Sequence, residues 1–336
     1  MQFERRPLED TENTILVHTV RTKGHTLKKG KKITSADIDL LKQEGIESLM
    51  IVSLQDGDIG EDQAAGILAE ETAGSNITIN KPDTGRCNLY SKCRGLLVIS
   101  HAGVDQINGV HESLTIATLP PYTGVIEGQL IATVKIIPFA VTKRHLVSCL
   151  QAVRKYSPVL TVAPYTIKKA GFIQTCLPGV KKNTLDKTFK TLSVRLQELG
   201  CAIDRELRCN HDIGEISTAI ENVTSPDTDI IILSSASAIA DRRDVVPMAI
   251  KNTGGEIIHF GMPVDPGNLL LYARINGIPI LGMPGCARSP KLNGFDLILQ
   301  RIAVNLNVTS RDIMGLGMGG LLKEIASRPR PREDRN

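Results

Sequence analysis

The sequence predicts an α/β fold: a C-terminal three-layer αβα domain with a mostly parallel sheet, preceded by smaller mixed α+β units. From about Thr166, strand-like runs alternate regularly with helical periodicities, as in repeated β-α-β units. The run TDIIIL (228–233) is almost wholly apolar, which is typical of strands covered by helices on both faces. From Thr14 to about Val141, short β-like runs are instead separated by turn residues. We therefore predict a mixed α+β region over 1–165, formed by one unit or by two small ones, and an α/β domain over 166–325. The Pro- and Arg-rich tail, 326–336, is expected to be a disordered linker.

The N-terminal region contains four strand-like runs and two helical segments. A helix is expected from Ser35, which is a suitable N-cap, to the stop at Gly45, and a second over Glu61–Ala73. The strand-like runs are ILVHTV (15–20), SLMIVSL (48–54), GLLVIS (95–100) and LIATVKII (130–137).

The C-terminal region begins with the strand AGFIQT (170–175), followed by a helix. Apolar residues of that helix recur at spacings of three and four up to Leu199, which defines one buried face. The Asn276-Gly277 pair predicts a type I′ hairpin within 269–283. A last helix is expected after Ser289-Pro290. The other predicted elements are strands at 201–207, 228–233 and 256–260, and helices near 213–220 and 246–251.

Composition excludes several classes of protein. Aromatic residues are 3% of the chain and Trp is absent, so stacking platforms for single-stranded nucleic acid are not expected, and the net charge of +4 is small. The seven cysteines are scattered without a C-x-x-C pair, which predicts reduced thiols in a cytoplasmic protein rather than a zinc site. No apolar run reaches the ~18 residues of a membrane span. The polar N-terminus does not resemble a signal peptide.

Polar residues are concentrated in five loops that should follow the strands. In parallel sheets, ligands bind at the carboxyl ends of the strands, so these loops are the candidate site. The segment Asp229–Ile250 passes from a strand through small hydroxyl residues into a helix, an arrangement that holds phosphates. Several carboxylates near a phosphate also suggest Mg²⁺. The loops are 175–186, 209–213, 234–244, 261–268 and 283–291, and they hold Asp186, Asp212, Asp244, Asp265, Arg242, Arg243, Arg288 and Lys291.

Five short motifs in this region resemble those of a known family. They are Arg243-Asp244 followed by Val-Val-Pro247, Leu185-Asp186-Lys187, Asp212 after the second strand, Pro266-Gly267, and Met283-Pro284-Gly285 with Ser289. Residues of about 166–310 thereby resemble the molybdopterin-binding domain that molybdopterin adenylyltransferases and molybdenum insertases share. The N-terminal half resembles, less specifically, the segment before this domain in an alphaproteobacterial group. Many members of that group continue into a cofactor nucleotidyltransferase.

The resemblance implies the molybdopterin-binding fold and a role in molybdenum cofactor biosynthesis. The implied ligand is molybdopterin, with nucleotidyl transfer from ATP or CTP, or molybdate insertion, as the reaction. Asp212 and Asp244 would hold Mg²⁺ and take part in catalysis. The implied partners are a nucleotidyltransferase and further copies of the chain, as a dimer or trimer, without nucleic acid or membrane. The residues implied to bind the ligand are Ser234, Ser235, Ser237, Arg242, Arg243, Pro266, Gly267, Pro284, Gly285, Arg288, Ser289 and Asp186.

The sequence also departs from the family pattern, which leaves three functions open. Adenylyltransferases carry T-G-G-T/S-G in the phosphate loop, whereas this chain has Ser234-Ser235-Ala236-Ser237-Ala238. Alanine restricts the backbone where glycine lets N–H groups approach a phosphate closely. The alternative to an enzyme is therefore a non-catalytic carrier that presents the cofactor to a nucleotidyltransferase. A nucleotide-processing hydrolase on the same scaffold is a third hypothesis and depends on fold analogy alone.

Overall fold

The computed structural model describes residues 1–265 and 267–322, and within these residues the protein is mixed α/β with nine α-helices and several sheets. The chain forms two compact units, Met1–Ala163 and the residues from Pro164 onward. Among the described residues, no helix has the length and apolar character needed to cross a membrane.

The first unit combines small antiparallel pairings with four helices. Its helices are α1 (Ser35–Gln43), α2 (Glu61–Thr72), α3 (His101–Val110) and α4 (Lys143–Arg154). Its strands are β1 (Gln2–Pro7), β2 (Ile15–Leu16), β3 (Val20–Arg21), β4 (Thr26–Leu27), β5 (Ser48–Ser53), β6 (Asp58–Gly60), β7 (Ile77–Ile79), β8 (Arg86–Ser91), β9 (Gly95–Ile99), β10 (Leu114–Thr118), β11 (Gly124–Val125), β12 (Leu130–Ile136), β13 (Ala140–Thr142) and β14 (Leu160–Pro164). The sheet orders are β1-β5-β2, β3-β4, β13-β6, β10-β12-β8-β7 and β11-β9-β14.

The two predicted helices of this unit, α1 and α2, are confirmed, but the cap of α1 is Thr34 and not Ser35. Thr34 Oγ1 accepts a hydrogen bond from the backbone N–H of Asp37. The Asp37 carboxylate in turn accepts one from the backbone N–H of Thr34, which completes a capping box. The run 15–20 is not one strand, since only its ends enter β2 and β3.

Helices α3 and α4 are absent from the sequence prediction. Each starts after a hydroxyl residue that caps it, Ser100 for α3 and Thr142 for α4. These caps are the local features that could have revealed both helices.

The second unit has a six-stranded mixed sheet in the order β16-β15-β17-β20-β19-β18. Every neighbouring pair from β16 to β20 is parallel, and β19 is antiparallel to both β20 and β18. Five of the six strands therefore end at the same edge, which we call the carboxyl edge. The strands are β15 (Lys169–Cys176), β16 (Ala202–Asn210), β17 (Ile230–Ser234), β18 (Glu256–Met262), β19 (Asn268–Ile275) and β20 (Ile278–Met283).

Helices cover both faces of this sheet. Its helices are α5 (Lys182–Glu198), α6 (Ile213–Val223), α7 (Val245–Asn252), α8 (Gly294–Ala303) and α9 (Ser310–Met314). Helices α5 and α8 pack on the face that carries Phe172 and Tyr272, and α6 and α7 pack on the face that carries Ile231 and Leu271. Both predicted features of the central strands are thus present, namely apolar residues throughout and helices on two sides.

The turn and boundary predictions for this unit differ in their outcome. The Asn276-Gly277 hairpin is confirmed, with φ of 48° and 84°, both in the left-handed region that a type I′ turn requires. Helix α8 starts later than predicted, at Gly294, because Asn293 caps it. A 3₁₀ turn, Gly285–Arg288, occupies the segment before it. Helix α9 is a further element that the sequence prediction lacks. Pro266 and the tail 326–336 lie outside the described residues.

Candidate functional site

Two adjoining cavities lie at the carboxyl edge of the second unit. The loop-side cavity, of about 120 Å³, is lined by residues 235–239, Leu269, Met283–Gly285 and Arg288. The helix-side cavity, of about 180 Å³, is lined by Gln174, Thr175, Val180, Lys181, Thr184, Leu185, Thr188, Ser234, Ala236 and Arg288. Ala236 and Arg288 line both cavities. Together the cavities reach the lower end of the range of about 300–1,000 Å³ that is usual for small-molecule pockets.

The loop from Ser235 to Ile239 presents hydrogen-bonding groups that the rest of the structure does not use. Within the described residues, the backbone N–H groups of Ser237, Ala238 and Ile239 donate to no other protein group. The side-chain Oγ of Ser235 is buried and likewise has no partner there. Ser235 Oγ is thus buried without a partner, which is costly, whereas Ser237 and Ala238 are exposed and leave their N–H groups open to solvent or to a ligand. A ligand with hydrogen-bonding oxygens would satisfy these groups.

Arg288 places a positive charge where the two cavities meet. Its Nη2 donates to the backbone carbonyl of Ser235 over 2.6 Å, which ties the 3₁₀ turn after β20 to the loop after β17. Because this partner is a carbonyl and not a carboxylate, the charge of the guanidinium is not neutralised by the contact. Guanidinium groups in such settings bind phosphate and carboxylate strongly.

Thr175 lines the helix-side cavity and lies in the predicted loop 175–186, but the sequence analysis did not single it out. Thr175 Oγ1 accepts the backbone N–H of Ala236 over 2.7 Å and lies 3.0 Å from His211 Nδ1. One hydroxyl thereby joins the ends of β15 and β16 to the loop after β17. The local feature that could have revealed Thr175 is the polar pair Gln174-Thr175 at the end of an otherwise apolar strand.

Gln174 and Asp186 belong to one chain of polar contacts beside the helix-side cavity. Gln174 Nε2 donates to the Leu185 carbonyl and, over 2.7 Å, to Glu206 Oε1. Arg208 then bridges Glu206 and Asp186, with 2.7 Å to each carboxylate. Asp186 is therefore paired with a cation, and it lies inside α5 rather than at its start, where Lys181 is the cap residue.

Asp212 and Asp244, the predicted magnesium ligands, are both helix caps. Asp212 Oδ1 accepts from the backbone N–H groups of Gly214 and Glu215 at the start of α6. Asp244 accepts from the backbone N–H groups of Val245 and Ala240, over 2.7 and 3.1 Å, so it caps α7 and closes the preceding loop.

Neither of these carboxylates lines the two cavities. Within residues 1–265 and 267–322, no group of three His, Cys, Asp or Glu side chains is arranged to hold a metal ion. A magnesium site formed by Asp212 and Asp244 stays a prediction.

The other predicted arginines also lie away from both cavities. Arg242 donates to the Ile257 carbonyl over 3.3 Å. Arg243 is exposed and donates to Asp241, a contact that lowers the pKa of that carboxyl.

The remaining predicted residues fall into two groups. Ser289 lines neither cavity, and its backbone carbonyl accepts a hydrogen bond from Arg195. Gly267 has a φ of +80°, so a side chain would be strained there. The predicted residues that do line the cavities are Ser234, Ser235, Ser237, Pro284, Gly285 and Arg288.

Cys286 adjoins the loop-side cavity in sequence, and its pKa is raised above the ordinary value of a thiol. Burial raises the pKa of Cys286, and the negative charge of Asp265 adds to the effect. Since the thiolate is the nucleophilic form of cysteine, a raised pKa lowers the reactive fraction of this thiol.

The arrangement combines a hydroxyl-rich loop, backbone N–H groups without protein partners and one arginine, which is chemistry suited to an anionic ligand. No family model and no curated protein matches this chain.

Proposed function

We propose that this protein binds molybdopterin, a pterin that carries a phosphate, in the two cavities at the carboxyl edge. The observation that carries the proposal is Arg288, which lines both cavities and keeps its positive charge beside the unused N–H groups of Ser237, Ala238 and Ile239. The phosphate would accept hydrogen bonds from these groups. The choice of pterin rests on the motif resemblance, and the choice of an anionic ligand rests on the geometry.

The proposal predicts a difference between phosphorylated and dephosphorylated ligand. We expect purified protein to bind molybdopterin saturably, and to bind the dephosphorylated pterin at least about tenfold more weakly, because a charged hydrogen-bonded contact contributes about 1.5–3 kcal/mol. Pterin fluorescence after oxidation of the bound fraction measures both affinities. Equal affinities, or no binding of either ligand, would contradict the proposed site.

Between an enzyme and a carrier, the geometry favours the carrier. Asp212 and Asp244 accept backbone hydrogen bonds as helix caps and lie outside the cavity linings, so no step of the proposed function passes through Mg²⁺. The phosphate loop has Ala236 and Ala238, where adenylyltransferases carry glycines in the pattern given above. The protein would then hold the cofactor for a nucleotidyltransferase. That partner and the expected dimer or trimer stay predictions.

The carrier hypothesis predicts binding without turnover. Protein loaded with molybdopterin and incubated with Mg²⁺ and ATP, or with Mg²⁺ and CTP, should return the ligand unmodified when it is analysed by chromatography. Saturable nucleotide transfer that the substitution Asp244→Ala abolishes would instead establish an enzyme. Loss of stability is the alternative cause of such an effect, because Asp244 caps α7 and loss of a cap costs about 1 kcal/mol. Thermal unfolding of Asp244→Ala must therefore be measured beside its activity.

A further inference from the structure

One buried arginine organises the segment that carries Arg288. Arg195 lies on α5 and is 8% exposed. Its Nε donates to Asp296 Oδ1 over 2.7 Å, and its terminal nitrogens donate to three backbone carbonyls. Those carbonyls belong to Ala287, Ser289 and Lys291, at 2.8, 2.5 and 3.0 Å. The segment 287–291 is thereby wrapped around a single guanidinium.

The carbonyls that accept from Arg195 belong to every second residue of the segment 287–291, so they flank Arg288 on both sides. Arg288 lies between Ala287 and Ser289, and its own side chain donates to the Ser235 carbonyl and lines both cavities. Because the carbonyls on either side of Arg288 are bound by Arg195, the backbone that directs the Arg288 side chain is held on both sides. Asp296 completes the anchor, since it also accepts the backbone N–H of Asn293 in the capping box of α8.

We propose that Arg195 is a positioning residue of the ligand site, which acts by holding Arg288 at the junction of the two cavities. This inference rests on the proposed function, because it assigns Arg288 to the bound phosphate. Arg195 itself lines neither of the two cavities. Its helix also contributes Thr184, Leu185 and Thr188 to the helix-side cavity. Helix α5 therefore lines the helix-side cavity and, through Arg195, also bonds to the segment that carries Arg288.

The substitution Arg195→Lys tests the role of the guanidinium with little change of charge. Lysine can pair with Asp296, but one ammonium group cannot supply the planar fork that reaches a carboxylate and three carbonyls together. We expect the backbone amides of Ala287 and Ser289, which close the turn by bonds to Pro284 and Cys286, to exchange at least about tenfold faster. Hydrogen exchange of the unliganded full chain measures this. The matched control is Arg154→Lys, at an exposed ion pair with Glu71 in the first unit.

Ligand binding then separates positioning from general loosening of the fold. Arg195→Lys should weaken the binding of molybdopterin by about tenfold and leave the binding of dephosphorylated pterin nearly unchanged, since only the phosphate contacts Arg288. In the background of Arg288→Met, the same substitution should have almost no further effect. Such non-additivity is the result expected when one residue acts through another.

Each outcome decides a separate question. The positioning role of Arg195 would be overturned by unchanged hydrogen exchange at Ala287 and Ser289. It would also be overturned if the double variant lost as much binding free energy as the two single variants together. Failure of the wild-type protein to bind molybdopterin would overturn the proposed function and leave the exchange result standing. If Arg195→Lys does not fold, Asp296→Asn replaces it. That variant keeps a side-chain oxygen for Arg195 and removes the charge, so a smaller change in the same direction is expected, and no change at all would count against the proposal.

Discussion

Replacing Arg288 with methionine should weaken the binding of molybdopterin by about 10- to 100-fold. The substitution keeps an unbranched side chain and removes a charge-assisted contact, which contributes about 1.5–3 kcal/mol. It also removes the hydrogen bond to the Ser235 carbonyl, so the loop-side cavity loses a link between its two walls. Titration monitored by pterin fluorescence measures the effect.

A matched control shows whether the loss is local to the site. Arg205 is an exposed arginine of β16 that donates to the Asn222 carbonyl and lines neither cavity. Arg205→Met should therefore bind molybdopterin like the wild type. If Arg288→Met retains full affinity, or if both variants lose it equally, Arg288 does not bind the phosphate.

Replacing Asp296 with alanine should destabilise the second unit by about 3–5 kcal/mol, the range expected when one partner of a buried ion pair is removed. Arg195 and Asp296 are only 8% and 10% exposed at their side chains, so Arg195 would be left as a buried cation without its carboxylate. The capping box of α8 would be lost as well, because Asp296 also accepts from Asn293. Denaturant unfolding, followed by far-UV circular dichroism, measures the change.

An exposed ion pair in the same unit is the control for this substitution. Lys169 pairs with Asp227 over 3.0 Å, and their side chains are 46% and 72% exposed. Asp227→Ala should leave the free energy of unfolding nearly unchanged, since exposed pairs contribute little. If both substitutions changed the free energy of unfolding equally, the burial of the Arg195–Asp296 pair would not explain its contribution to stability.

Much of the fold could be predicted because the features that determine its strands, turns and helices lie within short stretches of the sequence. The apolar run of β17, the turn residues Asn276-Gly277 and the periodic face of α5 are each readable within a few residues. Helices α3 and α4 were missed although hydroxyl residues cap both and α4 carries buried residues at helical spacing, Leu146, Cys149 and Val153, so the local signals were present in the sequence. The start of α8 was predicted too early because Ser289-Pro290 resembles a helix start, whereas the capping box that begins the helix is formed by Asn293 and Asp296.

The candidate site was predictable only in part. The rule that ligands bind at the carboxyl edge of parallel strands identified the loops that hold Ser235 and Arg288. It could not distinguish these residues from Asp212 and Asp244, since a carboxylate before a helix is suited equally to capping and to ligand binding. Only the observed hydrogen bonds show that both aspartates cap helices.

By itself, the sequence determined the alternation of strands and helices, and with it the edge at which a ligand would bind. That order follows from hydrophobic periodicity and turn residues, which act over short distances along the chain. The tertiary structure decided which polar residues meet. Arg195 and Asp296 are about a hundred positions apart, and Thr175 bonds to Ala236 sixty-one positions away. Such pairs form because the packing of the sheet and its helices brings distant segments together, and no local pattern in the sequence predicts these contacts.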